Sequence, residues 1–207
     1  MPDRYPVPAG VARIQFTEKN SLFIGTAGPA FTVQEAEAFI RRVRAEFRDA
    51  HHNAWAYQVG FGAGAIRACH NDGEPGGTAG PPALAALQGA GLGDVVVVVT
   101  RYFGGIKLGT GGLARAYGRA AREAVIALPR AERVTRTALL LSAAYHFHDA
   151  IRRLFDFYEA TLVATDYGAA VRFYLTIPLD RVDSFLEAVR QATAGQAVVE
   201  GPPAASA

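Results

Sequence analysis

A single cysteine, Cys69, leaves the chain with nothing to pair it, so no disulfide forms within its 207 residues. No apolar run approaches the roughly 18 residues needed to cross a bilayer, and the first residues carry no apolar leader core; a cytoplasmic protein without membrane contact is expected. Lysine is nearly missing as well: of 21 basic residues only Lys19 and Lys107 are lysine, the rest arginine. Arginine's planar fork suits phosphate and carboxylate, although a coding preference for arginine gives the same bias. The net charge of +2 does not by itself point to nucleic acid. C-x-x-C pairs and helical H-x-x-x-H spacing are absent, and the adjacent pairs His51-His52 and Cys69-His70 are poorly placed to converge on an ion; no metal and no other cofactor is expected. No serine or cysteine sits in a nucleophile elbow, which excludes a catalytic triad of that kind.

Glycine is abundant, and unevenly so. Sixteen of the 22 glycines lie between Gly60 and Gly118. They form two loops, residues 70–80 and 100–112, joined by a helix-length segment and five consecutive valines, 95–99. Glycine weakens helices and strands, so such a concentration implies unusual backbone angles or close approach by a partner. Tight turns alone would not need Asp72, Glu74, Thr78, Arg101 and Lys107 gathered among them.

Alternation at residues 11–17 and an apolar run at 22–27 predict strands. Thr32 and Glu35 form a capping-box pair ahead of Ala36, Phe39, Ile40, Val43 and Phe47, one face of a helix. Residues 55–61 and 65–69 read as paired strands turned at 62–64, residues 82–87 as a short helix, and 95–100 as a strand buried on both faces. Residues 111–128 are helical. The first domain therefore covers residues 1–128, residues 129–133 form a linker, and 134–201 the second domain, ending in a disordered tail at 202–207. In the second domain the order is strand (134–144), helix (148–160), strand (161–166), strand (170–178), helix (180–193) and strand (196–200), with a hairpin turn at Tyr167-Gly168. That is the βαββαβ order of a ferredoxin-like domain. Both domains are of α+β class, each expected to pack its helices on one side of a sheet.

Asp72-Gly73-Glu74-Pro75-Gly76-Gly77-Thr78-Ala79-Gly80 and Thr100-Arg101-Tyr102-Phe103-Gly104-Gly105-Ile106-Lys107-Leu108-Gly109 closely resemble the motifs of the IMPACT/YigZ family. So do His52-Asn53-Ala54-Trp55-Ala56-Tyr57 and Gly111-Gly112-Leu113-Ala114-Arg115-Ala116-Tyr117. The resemblance spans about residues 15–128, and Thr165-Asp166-Tyr167-Gly168 is similar to the second domain of bacterial members. It implies a first domain like domain IV of elongation factor G, a ribosomal-protein-like α+β fold, and a second like domain V of that factor. Eukaryotic relatives act in translational control but carry a further partner-binding domain that is not expected here. Ala54 stands where relatives often have cysteine, and Cys69-His70-Asn71 replaces a serine- or aspartate-rich run, so thiol chemistry is not expected.

The chemistry of the loops leaves three readings. Gly109, Thr110, Gly111 and Gly112 lie where a helix begins, and its first amides lack partners and suit an anion. The loop is not a Walker A motif, because no lysine follows its last glycine. Arg115, Arg119 and Arg122, spaced i, i+4 and i+7, share a helix face. With Arg101 and Lys107, and Tyr102 and Phe103 between them, they would make a cationic surface for phosphates and bases. That reading gives a translation-associated protein whose partner is RNA, the ribosome or a translation factor. In the second reading Asp72 and Glu74 do acid–base chemistry on a phosphorylated or carboxylated small molecule. Equally, those carboxylates can satisfy loop amides and pair with Arg101 or Lys107. The third is an adaptor that touches only proteins. The oligomeric state is not legible.

Overall fold

In the computed structural model, which describes residues 2–200, the chain begins with β1 (Arg4–Pro8), β2 (Ala12–Glu18), β3 (Ser21–Pro29), α1 (Val33–Glu46), β4 (His52–Val59) and β5 (Ile66–His70). It continues through α2 (Gly80–Gly89), β6 (Val95–Tyr102), α3 (Thr110–Ile126) and β7 (Arg130–Val134). Five of these strands form an antiparallel sheet in the order β2-β3-β6-β4-β5, with the valine strand at its centre. All five valines are fully buried, and they alternate between two cores. Val95, Val97 and Val99 pack with α2 and α3, while Val96 and Val98 pack with α1.

Helices thus cover both faces of this sheet, correcting the expectation of one covered side. A strand without polar alternation has no face to give to water, so each face needs an apolar cover. The amphipathic helix predicted after Thr32 supplies the second, and Thr32 Oγ1 accepts from the Glu35 amide at its start. On the opposite face α3 lies so close to β3 that a Cβ on Gly25 would stand 2.5 Å from the Ala120 carbonyl oxygen. Only glycine fits there.

Residues 129–133, expected to be a linker, are largely strand: β7 pairs with β1 in a separate two-stranded sheet. Both are pinned to the larger sheet by Asp94, which is fully buried. Its carboxylate accepts from Tyr5 Oη at 2.9 Å, the Gly60 amide at 2.8 Å and Arg133 Nη1 at 2.6 Å.

The chain divides into two compact units, Met1–Arg133 and Val134–Ala207. The second holds β8 (Arg136–Ala143), α4 (His148–Arg152), α5 (Leu154–Phe157), β9 (Thr161–Tyr167), β10 (Val171–Pro178), α6 (Val182–Ala192) and β11 (Val198–Glu200). Its antiparallel sheet runs β11-β8-β10-β9, the split βαβ arrangement. The single helix expected over 148–160 is broken into α4 and α5, but Ile151 and Phe155, four apart, still meet Phe173 and Phe185 in one core. The tail expected at 202–207 lies outside the described residues. No described helix is long and apolar enough to cross a membrane.

Candidate functional site

The first glycine loop is a sharp reversal between β5 and α2. Asp72 takes a left-handed backbone (φ 48°) and Gly73 follows at 85°. Asn71 Oδ1 accepts from the Ala79 and Gly80 amides at 3.2 and 2.9 Å, closing the loop and starting α2. Thr78, read from sequence as a polar neighbour of the carboxylates, is buried and donates its hydroxyl to the Pro75 carbonyl at 2.7 Å. The second loop leaves β6 at Tyr102 and reaches α3 at Thr110. Gly104 passes the Asn20 carbonyl so closely that a Cβ there would overlap it.

The two loops meet through Glu74. Its side chain, 2% exposed, accepts from Arg101 Nη1 at 2.6 Å and from Tyr117 Oη at 2.7 Å. Burial first, and then the Glu74 carboxylate, hold the Tyr117 hydroxyl well above its ordinary range, so it remains a donor. Arg101 is 5% exposed; Nη2 reaches Ser21 Oγ at 3.3 Å, and the guanidinium lies 5.3 Å from the Phe103 ring centre. Arg101 is therefore not part of an exposed cationic surface, as the sequence reading had it: its charge is spent on Glu74. Asp72 is also engaged. Its carboxylate accepts from the Asn53 amide at 2.7 Å and from Arg44 Nη2 at 2.9 Å. Asn53 itself braces the strands, accepting from Thr100 Oγ1 at 2.7 Å and donating to the Phe47 carbonyl.

Next to this buried pair opens a cleft of about 430 Å³ lined by His51, His52, Glu74, Arg101, Phe103, Lys107 and the start of α3 at Gly109 and Thr110, among others. His52 Nδ1 lies 2.8 Å from the Asp72 carbonyl, which only accepts, so that nitrogen carries the proton; Nε2 lies 3.8 Å from Glu74. His51 Nδ1 accepts from the Phe103 amide at 3.2 Å. Tyr102, by contrast, is tied to Asp49 at 2.9 Å, and burial and that carboxylate raise its hydroxyl. Burial also pushes the Cys69 thiol up, which disfavours the thiolate.

On the outer face of α3, Arg115, Arg119 and Arg122 are exposed, while Leu113, Tyr117, Ala120, Ala124 and Leu128 are buried. Arg119 pairs with Glu123 at 2.7 Å and lies over Phe16. Arg115 and Arg119 share a groove with Lys19 and Gly112, distinct from the cleft that holds Lys107 and Thr110. The predicted residues thus fall into two places, a cleft and a helix face. The sequence reading missed Tyr117, Ser21 and Asn71 as polar partners. Asn71 carried a signal, because an asparagine beside a glycine turn and ahead of Pro81-Pro82 is a capping candidate; the other two gave none.

The Impact N-terminal domain model matches residues 19–125, and a domain of unknown function (DUF1949) matches residues 141–196. The chain is 36% identical over 188 residues to the IMPACT family member YigZ of Escherichia coli, covering 86% of this chain and 88% of that protein. It is 32% identical over 197 residues to an IMPACT family member of Haemophilus influenzae, covering 95% and 96%. Among solved structures, the crystal structure of a hypothetical protein aligns with a TM-score of 0.68 at 32% identity, over 98% of this chain and 99% of that one.

Proposed function

The chain belongs to the IMPACT family, and from that premise we propose that it is a cytoplasmic, translation-associated regulatory protein that binds RNA, the ribosome or a translation factor without a catalytic step. The observation that carries the reading is the exposed row Arg115, Arg119 and Arg122 on α3, against a pair of loop carboxylates that are both already bound. Exposed arginines on one helix face meet phosphates along a backbone, and the uncapped start of α3 adds oriented amides. The translational role of eukaryotic relatives supports it. So does the likeness to domains IV and V of elongation factor G that the sequence implies for the two units. An enzyme with Asp72 and Glu74 as acid–base groups has less support, because Glu74 is locked between Arg101 and Tyr117.

The test is RNA binding over a salt series. The logarithm of affinity falls with the logarithm of salt, and Arg122→Ala flattens the slope by about one unit while leaving sequence preference unchanged. Arg119→Ala flattens it less, because Arg119 is half-committed to Glu123. Absence of binding, or equal slopes in wild type and Arg122→Ala, sinks this reading and moves weight to a protein-only adaptor.

A further inference from the structure

The cleft beside Glu74 offers three kinds of surface to a single occupant. At its mouth stand the exposed Lys107 and the start of a 17-residue helix, α3, which has no side-chain cap and no acidic residue in its first turn. That is a seat for a phosphate. Its wall is apolar, made by Leu108, Leu113 and Phe103, the last 38% exposed. An aromatic face left open to solvent is a platform for a base.

The inner end presents hydrogen-bonding groups already fixed in place. The Asp72 carbonyl holds a proton on His52 Nδ1, which turns Nε2 toward the cleft, and the Glu74 carboxylate stands beside it at 3.8 Å. Arg101 lines the same wall but is almost wholly buried; its Nε, the one buried side-chain atom without a hydrogen-bond partner among the described residues, is closed off from solvent. An inorganic anion would use the mouth alone, and an apolar acid the mouth and the wall. A nucleotide with an amino-bearing base uses all three, and about 430 Å³ is ample for one.

We propose that this cleft binds one nucleoside monophosphate, either free or as the phosphorylated 5′ end of a single-stranded RNA. Its phosphate sits at Lys107 and Thr110, its base on Phe103, and its amino group faces His52 and Glu74. The RNA source rests on the RNA-binding reading above; the free nucleotide does not.

The experiment is calorimetric titration of the full chain with adenosine monophosphate and with inorganic phosphate. Alongside it, binding is measured for two single-stranded RNAs of one sequence, bearing a 5′-phosphate or a 5′-hydroxyl. Adenosine monophosphate should bind, weakening about tenfold in Lys107→Ala and at least about fivefold in Phe103→Ala, with Arg122→Ala unaffected. Both cleft side chains are exposed enough that the fold should tolerate their loss. The phosphorylated RNA should bind more tightly than the hydroxylated one in wild type and equally in Lys107→Ala. Inorganic phosphate binding as well as the nucleotide overturns the proposal. No nucleotide binding, with the two RNAs bound alike, also overturns it and leaves the α3 reading standing. Nucleotide binding that Lys107→Ala weakens, with neither RNA bound, supports the cleft as a free-nucleotide site and removes the RNA reading.

Discussion

Glu74 accepts from two elements at once, Arg101 on β6 and Tyr117 on α3, with its side chain only 2% exposed. Removing one partner of a buried ion pair leaves the other uncompensated, a loss of about 3–5 kcal/mol. Glu74→Gln should therefore lower the unfolding free energy measured in urea by that margin; a loss under about 0.5 kcal/mol would show that the pair does not brace the loops. Tyr117 gives a pH signature of definite sign. Its raised folded value means its contribution is full below the ordinary tyrosine value of about 10 and is lost as pH climbs toward the folded one. Stability should fall above about pH 10, and in Tyr117→Phe the fall should be shallower when midpoints are followed against pH. The acid–arginine pairing was legible in the sequence, because opposite charges sat on two loops that a buried strand brings together. Tyr117 was legible only as part of an apolar stripe. Its ring obeys the helical period, but nothing local tells that its hydroxyl ends on a carboxylate 43 residues away.

The strands that announced themselves were those with an apolar pattern. Five valines without alternation marked a strand buried on both faces, though helices were expected on one side only, and the arginine spacing on α3 places the charges outward. β1 and β7 had no such pattern. The first, RYPVP, carries two prolines, and the second, RAERV, is mostly charged; they pair with each other outside the main sheet. Strands of that kind show no alternation to read. What fixes them is Asp94, a buried carboxylate shared by Tyr5, Gly60 and Arg133, and a lone aspartate ahead of a valine run gives no hint of it. Asp94→Ala should cost about 1–3 kcal/mol by leaving the Gly60 amide and the Tyr5 hydroxyl unmet, while Arg133, half-exposed, returns to water. It should also speed amide hydrogen exchange in β1 and β7 before the five-stranded sheet loosens. Uniform acceleration across both sheets would mean that the small sheet is not a separate unit held by this residue.

Each unit has its own sheet and its own core: Phe173, Phe185 and Ile151 in one share no cluster with the valine strand of the other. The break in apolar period near Pro129 pointed to a boundary there, yet a break in period does not distinguish a linker from a polar edge strand. The difference is measurable. Residues 134–207 expressed alone carry the whole βαββαβ set and should unfold in a single cooperative transition; a broad, non-cooperative melt would show that the unit depends on the rest of the chain. Two versions of the first unit should then differ from each other. A fragment of residues 1–133 keeps most of β7 and the Arg133–Asp94 pair, whereas one of residues 1–128 loses both, together with the bond from the Ala9 amide to the Pro129 carbonyl. Asp94, fully buried in the intact chain, would lose its cation, a deficit of at most about 3–5 kcal/mol against a typical stability of about 5–15 kcal/mol. The shorter fragment should therefore have a markedly lower urea midpoint and an unprotected β1. Equal midpoints would mean that 129–133 is a linker after all, and that the β1–β7 sheet adds nothing to the stability of the unit.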